Sequence, residues 1–527
     1  MTESFYLIWR NQYIRRLIRN LLCQNFIISV NKEYLKENHQ YLSLFSNRDK
    51  RDYNIRIRFI GGAGHYLDIN NSNRDVINDV DIEIGSAIGS FDLNAIHDGV
   101  HTLSFSSDND YISATGKLPS SITNLHLSND NFDDFPSAYA QQILSNLPAN
   151  LQVLGLGIDQ NSITSPCIIP ESLTDIKSHT QLHYQNLKWF VVPPNKMYQS
   201  CQLYIDSMES FEWLFANKWV CNVRIGTFLL DRLMATRHQL PLHITKVCVS
   251  LGIARETSFF PQTLKSLTCR YGTPFSHLAH LKVLKILSIY PIKLEKGVLP
   301  PTLQKLHLSF YEHPLEADVL PPHLTILSMY NFDHPLCANI LPSSITRLSL
   351  LAFNQPLFTN VLPSSLTDLD LTAFNKPLNA FVLPSKLKTL YMLKFNQPTL
   401  PQNSLPMSLT NLTICGFKGS FDQCQPLDNL KSLKVDSLVP SLVTLLTNIK
   451  KLDLCVNLHD DDPSGTCLYH TSIKNMCLQF TKTRVRTLYP NSFPSTLKYL
   501  TLFNANIKSN DVIPSGCILK YEFIEFM

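Results

Sequence analysis

From Leu299 onward the chain alternates between a short apolar motif and a proline-marked turn at a nearly fixed interval. The dipeptide Leu-Pro falls at Leu299-Pro300, Leu320-Pro321, Leu341-Pro342, Leu362-Pro363, Leu383-Pro384 and Leu405-Pro406, in steps of 21, 21, 21, 21 and 22 residues. Each is followed by an apolar-x-x-apolar-x-apolar core, such as Leu366, Leu369 and Leu371. The last two of these positions alternate as in a strand whose side chains share one face. A helical reading of the spacing fails: each central unit holds two prolines, such as Pro363 and Pro377, and proline inside a helix costs ~3 kcal/mol or more. One short strand and a turn cannot bury an apolar face alone, so neighbouring units must stack.

The same core recurs where Leu-Pro has decayed. Starts are read from Ile77 to Leu497, with Leu284, Leu303, Leu430 and Ile449 among them, giving 20 starts over 497 − 77 = 420 residues. Ile518, Tyr521 and Phe523 are read as a final strand, and Ile55, Ile57 and Phe59 as the first. Ahead of them, Phe5, Ile8, Trp9, Tyr13, Leu17 and Leu21 recur at helical spacing, and a second helix is expected over Lys32 to Phe45. The pattern predicts an α+β repeat protein. Residues 1–52 form a small helical cap or an adaptor-like module, and residues 53–527 form a right-handed parallel β-solenoid of about 20 rungs, with the best repeats at 299–424.

The core resembles the leucine-rich repeat, with an informative departure. Where that repeat has its asparagine, this chain has Phe353, Phe374 and Phe395, followed by Asn354, Asn375 and Asn396. The units continue as Phe353-Asn354-Gln355-Pro356, Phe374-Asn375-Lys376-Pro377 and Phe395-Asn396-Gln397-Pro398, with Phe332-Asp333-His334-Pro335 as a close variant. This is similar to the FNIP repeat, a relative of the leucine-rich repeat abundant in social amoebae and found in some giant viruses. Stacked phenylalanines are expected to form an apolar spine, and the asparagines to satisfy backbone groups at each turn. The column His313, His334, Gln355, Lys376 and Gln397 is expected to face solvent. The resemblance implies a protein-interaction role. It also implies an alternative: FNIP-repeat proteins sometimes carry an F-box ahead of the repeats, so residues 1–50 could dock a ubiquitin-ligase core and make the chain a substrate receptor. The usual Leu-Pro-x-Glu opening of that box is absent here.

Composition narrows the classes. Hydrophobic residues make up 44% of the chain, enough for a sizeable core, and charged residues at 17% are too few for a disordered one. Lys+Arg 46 against Asp+Glu 42 leaves +4, so no nucleic-acid partner is expected. The 13 cysteines are odd in number and form no Cys-x-x-Cys pair, which suits the reduced thiols of a cytoplasmic or nuclear protein. No apolar run approaches the ~18 residues of a membrane span, and the first residues do not read as a secretory signal.

Candidate chemistry is sparse. Gly61-Gly62-Ala63-Gly64 follows a strand but lacks both the dinucleotide spacing and the Walker lysine, and the following residues do not read as a helix, so a flexible turn is expected. His97/His101 and His179/His183 are four apart, a zinc spacing only on one helix. Asp460-Asp461-Asp462 lacks the alternating ligands and terminal glutamate of a calcium loop. No nucleophile elbow or His-Glu-x-x-His motif occurs, so neither an enzyme nor a cofactor is expected. An enzymatic site would need a closed polar pocket in the weaker rungs between Leu151 and Leu264. What remains is the strand face, where residues flanking the inner leucines point outward. Lys305, His307, Tyr330, Arg347, Asp368, Asp370 and Tyr391 are the candidate protein-binding residues, with Arg347 expected beside Asp368 and Asp370 near Tyr391.

Overall fold

The computed structural model describes residues 11–85, 89–107, 112–129, 138–178, 181–436, 438–456, 468–480, 486–507 and 509–522. They form two compact units, Met1–Thr236 with Leu240–Cys248, and Arg237–Gln239 with Val249–Met527.

The first unit opens with helix α1 (Gln12–Leu22), whose cap Asn11 accepts hydrogen bonds from the Tyr13 and Ile14 amides. Strand β1 (Ile27–Val30), helix α2 (Lys32–Leu42) and helix α3 (Asn47–Asp52) follow. Then come β2 (Arg56–Gly62), β3 (Asp79–Ile84), β4 (Thr102–Ser107), β5 (Asn124–Asn129), β6 (Val153–Gly157) and β7 (Asp175–Ser178), which with β1 make a 7-stranded sheet in chain order. Every pairing is parallel, and the register stacks Phe59, Val80, Leu103, Leu125, Leu154 and Ile176 in one buried column. Such columns arise because alternate strand residues share a face and each rung repeats the alternation.

Three sequence expectations change here. The first strand is Ile27–Val30 rather than the segment at Ile55, so residues 1–52 contribute a strand to the sheet as well as helices. The glycine stretch continues β2 and leads into a short helix, Ala63–Leu67, not a flexible turn. The weak periodicity between Leu151 and Leu264 reflects helical returns, Met208–Ala216 and Thr227–Ala235, between the parallel strands Tyr198–Ile205, Val220–Ile225 and Lys246–Cys248. A helix replaces the Leu-Pro turn and the register steps become unequal, 20 residues from Leu203 to Val223 and 24 from Val223 to Val247, so the repeat fades there. The Phe5, Ile8 and Trp9 part of the first helical pattern, His179 and Asp460-Asp461-Asp462 lie outside the described residues.

In the second unit, strands from Ser266–Arg270 to Ile518–Glu522 stack in parallel and in chain order. Leu284, Leu306, Leu327, Leu348, Leu369, Leu390, Leu412 and Leu433 form the central column. Leu284 pairs with Leu306, so its rung starts at the buried Leu281, three residues before the expected start. The phenylalanine spine is present. Phe332, Phe353, Phe374 and Phe395 are fully buried, with successive ring centroids 6.3, 6.3 and 6.1 Å apart and planes within 9° of parallel. Burying each such ring contributes about 1.5–3 kcal/mol.

Beside the spine runs a ladder of side-chain carbonyls. The amides of Asn354, Asn375 and Asn396 donate to Asp333, Asn354 and Asn375 of the preceding rung at 2.8, 2.8 and 2.9 Å. Each asparagine thus satisfies a backbone donor that the turn leaves open. The neighbouring column, expected to face solvent, is partly exposed, and Gln355 and Gln397 donate back to Asp333 and Asn375 one rung earlier. A left-handed residue precedes each Leu-Pro by two positions, at Asp318, Asn339, Asn360, Phe381 and Asn403 with φ between 60° and 65°.

Candidate functional site

The strand face of the second unit carries the residues singled out from sequence. Arg347 is the register partner of Asp368, and Asp370 of Tyr391, as the stacking of equal rungs requires. Lys305 and His307 pair with Ile326 and Ser328 of the next rung. Lys305, Tyr330, Arg347 and Tyr391 are exposed, whereas His307, Asp368 and Asp370 are half-buried. Burial between strands, reinforced by the Lys285 and Lys305 ammonium groups, pushes the His307 imidazole below its usual range. The carboxylates are held locally: the Thr367 hydroxyl donates to Asp368 at 2.8 Å and the Thr372 hydroxyl to Asp370 at 2.7 Å. No ion pair among the described residues includes Arg347. Its guanidinium therefore stands beside Asp368 without being consumed by it. Exposed Arg347 lies on a rung between those of the exposed Tyr330 and Tyr391, and Arg and Tyr are the residue types enriched among interface anchors.

A second site lies wholly within the first unit and was not foreseen. A half-open cleft of about 460 Å³ follows the entry edge of β2 to β6 and is closed on one side by the end of α3. Asn78, His101, Thr123 and Gln152 occupy one rung position, just before their strands, and face it together with Lys50, Arg51, Arg56, His126 and Lys177. Local folding sets each of these groups. The capping box of Ser46 and Asp49 starts α3 and delivers Lys50 and Arg51 to the cleft from its last turn. Asn78 clamps the edge by accepting from the Ile57 amide at 2.7 Å and donating to the Ile55 carbonyl at 2.9 Å.

The cleft is cationic because no carboxylate lines it and, among the described residues, only Arg56 of its lysines and arginines forms an ion pair. Arg56 is matched by the buried Asp79 at 2.6 Å, and Arg58 by Asp81 at 2.7 Å. Burial raises the Asp79 pKa against the pull of those two arginines. Lys50 is itself buried and donates to the Val76 carbonyl at 2.8 Å, and desolvation lowers its pKa to about 8. His101 is pushed down to about 4, chiefly by burial and then by the Arg51 and Lys50 charges, and its buried Nδ1 has no hydrogen-bond partner.

His97 and His101 are not placed to share a metal ion. His97 is held by the Ile77 carbonyl at 2.9 Å and the Tyr66 hydroxyl at 3.1 Å, whereas His101 faces the cleft. Among the described residues no group of three His, Cys, Asp or Glu is placed to hold a metal ion, the cysteines are free thiols, and no helix is long and apolar enough to cross a membrane.

No curated protein sequence is significantly similar to the chain. Among solved structures, CroV588, described as a novel circular LRR protein, shares 20% identity over 84% of this chain and 72% of its own, at a TM-score of 0.45. The mouse RP105/MD-1 complex shares 15% over 86% and 75%, at 0.31. The Leptospira interrogans LRR protein LIC12759 shares 15% over 60% and 99%, at 0.29. The FNIP Repeat family matches residues 311–351 and 353–394. Those are the rungs that carry the stacked phenylalanines and the side-chain carbonyl ladder, so the chain carries FNIP repeats within its parallel β-solenoid.

Proposed function

We propose that the chain is a non-enzymatic protein-interaction module whose partner docks on the strand face between Lys305 and Tyr391. The observation that carries this reading is the exposed Tyr330, Arg347 and Tyr391 group, with no internal ion pair holding Arg347 among the described residues. A desolvated Arg or Tyr anchor at an interface is worth at least about 2 kcal/mol. The test is quantitative affinity purification with the intact chain, with a Tyr330→Ala/Arg347→Ala/Tyr391→Ala variant, and with a Lys376→Ala control away from the strand face. The reading requires partners recovered by the intact chain and the control to be lost with the triple variant. Equal recovery by all three would sink it.

One observation favours the ligase-docking alternative for residues 1–50. The fully buried side chain of α1 is a polar one, Asn20, which bonds the Asp49 carboxylate that Arg16 also meets at 2.9 Å, while Tyr13, Leu21 and Leu22 are 72%, 54% and 70% exposed. Deleting residues 1–50 would also remove the buried Val30, Leu35 and Leu42, so point substitutions are the cleaner probe. On this reading a Tyr13→Ala/Leu21→Ala/Leu22→Ala variant loses a co-purifying ligase core and keeps the strand-face partners.

A further inference from the structure

We propose that the cleft at the entry edge of β2 to β6 binds a small, hydroxyl-rich molecule carrying two or more phosphoryl groups. The charge argument comes first. Lys50, Arg51, Arg56, His101, His126 and Lys177 line the cleft, and no carboxylate is among its lining residues. Asp79 neutralises Arg56, but no ion pair among the described residues includes Lys50, Arg51 or Lys177. Cations gathered around a partly desolvated space repel one another; the Arg51 and Lys50 charges add to burial in lowering His101, while burial alone lowers Lys50. A single carboxylate would balance one of them. Each phosphoryl group brings about −1.5 to −2 charge and three acceptor oxygens, so two suffice.

The shape and lining select the rest of the ligand. A cleft of about 460 Å³ far exceeds one tetrahedral anion and falls within the range of small-molecule sites. Its other walls are the amides of Asn54, Asn78, Asn124 and Gln152 and the hydroxyls of Thr102 and Thr123. Only Ile55 and Val153 are apolar, and apart from the two imidazoles no aromatic ring is present on which a nucleobase could stack. The carrier is therefore a polyol rather than a nucleoside. Gly155 makes room for the His126 ring that lines the cleft. It lies between its register partners His126 and Lys177, and a Cβ there would collide with the His126 ring. Glycine at this position serves close approach, since its φ is not in the left-handed region.

The test is calorimetric titration of the whole chain at physiological salt with inositol trisphosphate and fructose bisphosphate. Unphosphorylated myo-inositol, inorganic tripolyphosphate and a poly-glutamate peptide serve as comparators. Saturable binding of the phosphorylated polyols is expected, weakened about tenfold by either Arg51→Gln or Lys177→Gln. A Lys451→Gln variant, whose site is in the other unit, should bind as the unmodified chain does. Unchanged thermal unfolding of the apo variants separates lost binding from lost fold. Three outcomes overturn the proposal: no saturable binding of any phosphorylated polyol, binding indifferent to both substitutions, or binding of poly-glutamate alone, which would assign the cleft to an acidic peptide. Tripolyphosphate binding as tightly as the polyols would overturn the carrier assignment.

Discussion

Rungs 299–424 and the rungs of the first unit use one architecture for opposite ends. In the former the interval is 21 or 22 residues and each rung repeats the same chemistry, so phenylalanines stack on phenylalanines and side-chain carbonyls on amides. In the latter, Asn78, His101, Thr123 and Gln152 hold one rung position at steps of 23, 22 and 29 residues, and no two are alike. Buried polar side chains also concentrate there, including Asn20, Asp49, Lys50, Arg74, Asn78 and Asp79. A strict repeat places equivalent atoms in columns, which maximises stacking but makes every rung alike. Relaxing the repeat gives up some of that stacking and lets one row gather several chemistries around a cleft.

The largest test of this contrast is Phe374→Ala. Removing one fully buried ring from the middle of the spine should cost about 3–5 kcal/mol, read as a shift in the urea midpoint. Hydrogen exchange should show protection falling at the rungs of Phe353 and Phe395 and holding across Val80 to Leu125. Equal loss in both places would mean that the two regions unfold together.

A smaller effect belongs to the cleft. The folded chain holds His101 at about 4, against 6.5 for a free imidazole. Between those values the unfolded chain binds more protons, so stability present above pH 6.5 is lost as the pH falls toward 4. The half-exposed ring limits this to about 1–2 kcal/mol. Denaturation of the unmodified chain and His101→Gln at about pH 7 and pH 4.5 should show the variant losing less. Identical losses would remove His101 from the account.

The smallest effect returns to the regular rungs. Phe381 holds φ 60° where the neighbouring rungs have Asp or Asn, and its ring is 71% exposed. Asparagine tolerates the left-handed region better, so Phe381→Asn should stabilise by about 1 kcal/mol, measured as a raised thermal midpoint.

How far each region could be read from sequence follows the same divide. The pairing of Arg347 with Asp368 was legible because equal rungs fix the register: 21 residues on, the chain returns to the same place. The hydrogen bonds of the Gln355 and Gln397 column were not legible, since variety among polar residues does not reveal that two of them reach back one rung. The cleft was invisible. Its residues come from six separated stretches, and the faint signal, polar residues just before successive strand cores at Asn78, His101, Thr123 and Gln152, is spread over unequal intervals. Strand β1 was missed because Ile27-Ile28-Ser29-Val30 stands alone between helices, with no periodic neighbour in sequence to announce it.

By itself the sequence determined the repeat, the parallel stacking and the phenylalanine spine. A period of 21 with two prolines per unit leaves the chain no helical alternative, and leucines at fixed positions must bury together. Only the tertiary structure decided where charge collects. Whether Arg56 pairs with Asp79 while no ion pair among the described residues includes Lys50, Arg51 or Lys177 depends on which segments are neighbours in space. Electrostatic interaction falls with distance through the fold, not along the chain.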